Sequence, residues 1–399
     1  MSTKTKWSNV LLLFTSQALF QTGTILVMTL SGMVGLKLAP EESLSTLPIA
    51  MISVGTATMM IPASFVIRKI GQRKGFMIGT ILGVLSGLLS FYAIINSSFI
   101  LFIVGNMLVG THQGFAQYYR FAAADAVPEH NKGKAISFVI AGGVAAAFAG
   151  PNLAKFTQHL GTMPYAYSFI SITFLSIVAL CVLFFLKLPK NTIAENQNGE
   201  TLVQERPLTE IIKQRTTLAA FASSAVGYSV MMMIMTATPL AMHHFGFSPD
   251  QSATVIQWHV LGMFVPSFFT GILIGKFGVH KIILSGIIIF FLYLIFALTG
   301  TGYANFILAL ILLGIGWNFM YIGGSTLLTK VYQPIEKEKV QAFHDFFVFG
   351  AISLSGLSAG GLLKYWGWQG INLAVVPLLI TALVSIILYV INIKSAKQI

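Results

Sequence analysis

Residues 64–76 read SFVIRKIGQRKGF, and 207 positions later residues 271–283 read GILIGKFGVHKII. Each stretch is a short basic turn between two long apolar runs. Each holds a glycine (Gly71, Gly278) and closes on basic residues, Arg73 and Lys74 in the first, His280 and Lys281 in the second. Charged side chains are too costly to leave in hydrocarbon, so both turns belong at a membrane surface. Their recurrence predicts two copies of one membrane-embedded unit.

Composition agrees. Of 399 residues, 55% are hydrophobic and 9% charged, with a mean hydropathy of +0.81, where a soluble domain carries about 25% charged residues. Too few charges remain to cover a water-exposed surface. Apolar runs long enough to span a bilayer, about 20 residues each, fall at 8–34, 44–66, 75–95, 99–122, 135–156, 165–186, 217–242, 253–275, 282–299, 305–328, 340–362 and 370–391, twelve in all. The first is too long for a signal-peptide core and lacks a small-residue cleavage site, which predicts a retained helix. The polar stretch 187–216 falls at the midpoint and reads as a linker with a short surface helix around Pro207–Gln214. The predicted organisation is therefore a six-helix bundle over 1–186, a cytoplasmic linker over 187–216 and a second six-helix bundle over 217–399.

A net charge of +12 raises the question of nucleic acid, and its distribution answers it. With twelve spans, 20 of the 24 Lys and Arg residues fall on one side, three (Lys37, Lys155, Lys364) on the other, and Arg120 inside a span. Such asymmetry orients a membrane protein with its basic loops in the cytoplasm, so both termini are expected there, in a cytoplasmic (inner) membrane, and no nucleic-acid partner is expected. The single cysteine, Cys181, excludes a disulfide framework and a thiolate metal site. No metal-ligand spacing, nucleophile motif, paired carboxylates or phosphate-binding glycine loop is present, so neither an enzyme nor an ATP-driven pump is expected, and no cofactor is implied.

The repeat extends further. Gly110 to Pro128 spans 18 positions, as does Gly316 to Pro334, at an offset of 206. AGPNLA (149–154) likewise faces SGLSAG (355–360). With these anchors the chain resembles the major facilitator superfamily over its whole length. That family's loop signature, of the form G-x-L-A-D-R-x-G-R-R/K, is met by Gly71, Arg73 and Lys74, and in the second copy by Gly271, Leu273, Phe277, Gly278 and Lys281. Gly150–Pro151 is similar to its G-P-x-x-G element, with Ala154 in place of the closing glycine. Two positions depart from the pattern: the acid of the signature is Arg68 in the first copy and Gly275 in the second, and Asn106 stands for the usual arginine of span four.

The resemblance implies an all-α membrane protein of twelve helices in two pseudo-symmetric bundles, working as a monomer by alternating access, with spans one, four, seven and ten lining a central cavity. In span four Asn106, Gly110, Gln113, Gln117 and Arg120 lie at helical steps on one face. A polar face in a membrane helix either lines a wet cavity or bonds a neighbouring helix. The resemblance favours the cavity, with Gln17 and Gln21 in span one, Tyr228 and the Met231–Met233 cluster in span seven, and Trp317, Asn318 and Tyr321 in span ten as counterparts. In the family the loop's basic residues meet an acid ending span four, which implies Arg73 with Asp125. Its loop acid faces span eleven, so here Arg68 is expected to face Asp345 as a charge-swapped latch joining the halves when the cytoplasmic side is closed, against the blander reading of Arg68 among lipid headgroups with Asp345 capping the helix dipole. If transport is proton-driven, Asp345 with His259 and His344 is the available carrier, although a buried histidine is commonly just hydrogen-bonded. The expected activity is secondary transport of a small organic molecule as a proton-linked exporter. The alternatives are uptake of a neutral or anionic metabolite, vitamin or siderophore, and a receptor that binds without flux.

Overall fold

The structure, a computed structural model, describes residues 3–41, 44, 47–158, 160–188 and 205–396. Every regular element among them is helical. In chain order they are α1 (Thr3–Leu38), α2 (Leu47–Ile70), α3 (Gln72–Ile95), α4 (Phe99–Ala116), α5 (Tyr119–Asp125), α6 (Lys132–Ile140), α7 (Gly142–Thr157), α8 (Ala166–Phe184), α9 (Leu208–Ile212), α10 (Arg215–His244), α11 (Pro249–Phe264), α12 (Ser267–Phe277), α13 (Val279–Thr299), α14 (Tyr303–Leu328), α15 (Lys337–Ala374) and α16 (Val376–Ala396). Among the described residues eleven helices are long and apolar enough to cross a membrane. The last of these, Lys337–Asn392, is 56 residues long and is interrupted at Gly367, where φ is 66°. It therefore holds the eleventh and twelfth expected spans. Residues 189–204 of the expected linker lie outside the described residues. The part that is described contains α9, shorter than the helix expected over Pro207–Gln214.

The outer faces are apolar: Phe65, Ile100, Phe174, Leu354 and Leu357 are all well exposed. A helix closes its own backbone hydrogen bonds, which is what hydrocarbon demands of any spanning segment.

Unit 1 comprises residues 1–127, 139–190 and 341–346. In it α4 packs between α2 and α3, α8 lies against α3 and α1, and α7 lies against α1. The sequence explains the tightness. The buried stripe of α3, Gly75, Gly79, Gly83, Ser86, Gly87 and Ser90, is made of small residues. In lipid there is no hydrophobic drive to join helices, so close backbone approach over small residues supplies the attraction. Unit 2 comprises residues 128–138, 191–340 and 347–399. There α14 packs against α10, α11 and α13, and α16 lies against α10. Each unit thus borrows one short segment from the other sequence half, namely the start of α6 in unit 2 and residues 341–346 of α15 in unit 1.

The two basic turns have the same backbone. Gly71 has φ/ψ of 88°/155° and Gly278 of 91°/147°, a region that glycine alone enters without strain. Gly271 answers to a different requirement. A Cβ there would come within 2.5 Å of the Lys134 Cα, because α12 runs directly against the start of α6 inside unit 2. Ser137 secures that approach, its hydroxyl donating to the Ser267 carbonyl and accepting from the Gly271 amide at 3.0 Å.

Candidate functional site: a buried ion pair and an aromatic cluster

Unit 1 carries a charged cluster where α4 gives way to α5. The helix is interrupted at Gln117 and Tyr118, and Arg120 follows, only 3% exposed. Its Nη2 donates to Asp345 Oδ1 at 2.5 Å, while Nη1 donates to the Gln117 carbonyl at 3.0 Å and to Gln117 Oε1 at 2.7 Å. The guanidinium also lies over the Phe121 ring, 4.4 Å from its centroid. Asp345 is fully buried, and the same Oδ1 is 2.8 Å from His344 Nδ1. A buried carboxylate needs such partners, since desolvating an ion costs several kcal/mol.

The contacts seen here differ from two expected pairings. The base that meets Asp345 is Arg120; Arg68, at the exposed end of α2, is not among its partners. Arg120 wins because it is buried beside the acid, whereas Arg68 can keep its charge at the surface. Arg73 lies over the Phe184 ring at 4.9 Å, and it is the neighbouring Gln72 whose Nε2 donates to Asp125 Oδ2, at 2.9 Å. Gln72 and Phe184 were missed, since an amide beside two basic residues gives no signal of its own.

The rest of the span-four face is used for packing. Asn106 is fully buried; its Oδ1 accepts from Ser31 Oγ at 2.8 Å and its Nδ2 donates to the Phe102 carbonyl at 2.9 Å. Gln113 Oε1 accepts from Thr56 Oγ1 at 3.2 Å. On α1, Gln17 is buried and Gln21 half-buried. Neither amide is used in a hydrogen bond among the described residues.

Unit 2 gathers rings. Trp317 stacks on Tyr321 with centroids 5.2 Å apart and planes at 18°. Tyr228 stands edge-on to both, at 5.2 and 5.1 Å, and Phe264 closes on Trp317 at 5.8 Å. Tyr228 is half-exposed, Trp317 only 2% exposed, and the indole Nε1 has no hydrogen-bond partner among the described residues. The adjacent Asn318 has another task. Pro266 interrupts the helix between α11 and α12 because it lacks an N–H. Asn318 Nδ2 bridges the break, donating to the Met263 carbonyl at 2.6 Å and Ser267 Oγ at 2.5 Å, and its Oδ1 accepts from Thr270 at 2.6 Å. His259 is buried in unit 2 with Nδ1 2.8 Å from the Leu310 carbonyl, tying α11 to α14, and it is not a partner of Asp345.

Sequence reading also missed a clasp outside the spans of unit 2. Arg206 meets Glu336 bidentately, Nε to Oε1 at 2.8 Å and Nη2 to Oε2 at 2.7 Å, and its backbone amide adds a bond to Oε1 at 2.9 Å. The arginine holds the Glu336 carboxyl down at about 2, well under the usual carboxylate range, and Glu336 in turn raises the guanidinium. Lys339 joins through Glu205 at 2.9 Å.

Residues 12–237 and 220–398 match the Major Facilitator Superfamily, and the chain belongs to it. The riboflavin transporter RfnT of Brucella anthropi is 39% identical over 383 residues, covering 95% of each chain. An uncharacterised MFS-type transporter of Bacillus subtilis, YddS, is 26% identical over 81% of this chain and 76% of its own. Among solved structures, the human organic anion transporter MFSD10 superposes with a TM-score of 0.74 at 13% identity, covering 96% of this chain and 99% of its own. The proton:xylose symporter XylE reaches 0.75 at 14%, covering 97% and 95%. These two show the shared fold. Together the matches support secondary transport of a small molecule, and the chain is not an enzyme.

Proposed function

We propose that this protein imports riboflavin, or a flavin with the same ring system, across the cytoplasmic membrane. The observation that carries this reading is the 39% identity to a riboflavin transporter along 95% of both chains. The side chains suit such a cargo. Riboflavin is uncharged, a planar three-ring system bearing a chain of hydroxyls. The cluster of Tyr228, Trp317 and Tyr321 offers flat aromatic surface in unit 2, with an indole N–H whose bond is still to be made. A neutral ligand also needs no intramembrane carboxylate to meet it, in keeping with first-half spans free of acids above Asp125. This reading takes uptake over the export expected from Gly150–Pro151.

The test is radiolabelled riboflavin uptake by a riboflavin-requiring bacterial host lacking its own transporter. An aromatic contact is worth about 0.5–1.5 kcal/mol, so Trp317→Ala and Tyr321→Ala are each expected to raise KM about 2- to 12-fold. Absence of accumulation above empty vector with wild-type protein in the membrane rejects the reading, and binding without flux turns it into a receptor.

The charge asymmetry of 20 against three supports both termini in the cytoplasm. With Cys181 replaced by Ser, a cysteine introduced at Lys364 is expected to react with an impermeant maleimide in intact cells, and one at Lys74 only after permeabilisation. The opposite pattern inverts the topology.

A further inference from the structure

Unit 1 contains a groove of about 550 Å³ whose walls include Phe14, Ala18 and Thr22 of α1, Ala149 and Phe156 of α7, and Leu175 of α8. It opens because α7 and α8 both pack on α1 and touch each other little. The polar residues along it turn inward on their own helices. Thr15 donates to the Leu11 carbonyl at 3.0 Å, Thr22 to Ala18 at 2.8 Å and the Asn152 amide to Phe148 at 2.7 Å. What faces the opening is hydrocarbon, which does not match the hydrogen-bonding demands of a flavin.

Length and charge identify the occupant. Along α7 the lining runs from Ala145 to Phe156, eleven helical steps or about 16 Å at about 1.5 Å per step, close to the depth of one monolayer, about half of a ~30 Å hydrocarbon core. The groove begins at the end of α7, where Lys155 sits exposed in the last turn beside Phe156. Lys155 is one of three basic residues on its side of the membrane by the charge count. The other two lie over rings, Lys37 over Tyr165 at 4.7 Å and Lys364 over Tyr365 at 5.7 Å. Among the described residues Lys155 lies over no ring. A lysine at a helix end reaches the headgroup layer on its apolar stem.

We propose that this groove is a binding site for one anionic phospholipid, with an acyl chain along α1, α7 and α8 and the phosphate at Lys155. The site is independent of the transported substrate. Full-length protein released from nanodiscs of equal phosphatidylglycerol and phosphatidylcholine is expected to retain about one phosphatidylglycerol in native mass spectrometry. Lys155→Gln should retain either lipid equally, and Ala149→Phe, which fills the groove, should retain neither. A phosphatidylglycerol carrying a photoreactive acyl chain should label wild-type peptides containing residues 14–22 and 145–156, a readout that needs no variant to fold. Labelling elsewhere only, or both variants keeping phosphatidylglycerol as wild type does, overturns the proposal.

Discussion

Arg120→Met is expected to destabilise the protein by about 3–5 kcal/mol, the cost of leaving one member of a buried ion pair without the other. Asp345 is fully buried and Arg120 nearly so, at 2.5 Å. Methionine keeps much of the arginine stem's volume, so the loss reports the uncompensated carboxylate and not a cavity. Arg120→Lys should fall short of wild type as well, because the guanidinium bonds Asp345 and Gln117 at once, and a lysine ammonium does not reproduce that fork. The double variant Arg120→Met with Asp345→Leu should regain most of the stability, since replacing both members of a buried pair by apolar groups is often neutral. Denaturant unfolding of the purified protein in detergent measures all three. A single variant that unfolds with wild type would show that the pair contributes nothing.

The second large effect is acid-dependent and lies outside the spans. The folded pKa of Glu336 is about 2 against an ordinary 4.5. Its contribution is complete above about pH 4.5 and is lost as the pH falls towards 2, because only the unfolded chain takes up the proton over that range. The shift corresponds to stabilisation on the order of 3 kcal/mol. Glu336→Gln is therefore expected to be less stable at pH 7, while the gap to wild type closes as the solution is acidified. A gap that stays constant from pH 7 to pH 3 would assign the loss to something other than the Arg206 pairing.

The fold was readable because a bilayer leaves so few choices. Apolar runs of spanning length, basic turns between them and a repeat at 206–207 residues point to one architecture. Only the boundary between the last two spans blurred, at Gly367. The interior was harder to read. Asn106 and Asn318 have the same periodic signature as a cavity-lining amide, yet one is bonded to Ser31, 75 residues away, and the other repairs the break at Pro266. Helical spacing says which face a residue occupies, and cannot say whether water or another helix lies opposite. Arg120 was recognised as exceptional by its cost, but its partner is 225 positions distant. Arg206 and Glu336 were invisible for the same reason, two ordinary loop charges until the chain brings them together.

The paired dihedrals at Gly71 and Gly278 have a historical consequence. Between the two turns the residue in the signature's acidic position is arginine in one and glycine in the other, while φ differs by 3°. The charge at that position differs between the two copies, whereas the bend itself sits where any side chain would be strained. If both copies descend from one ancestral half, that half already turned its chain this way before it was doubled, and the backbone has kept a likeness that the side chains have lost.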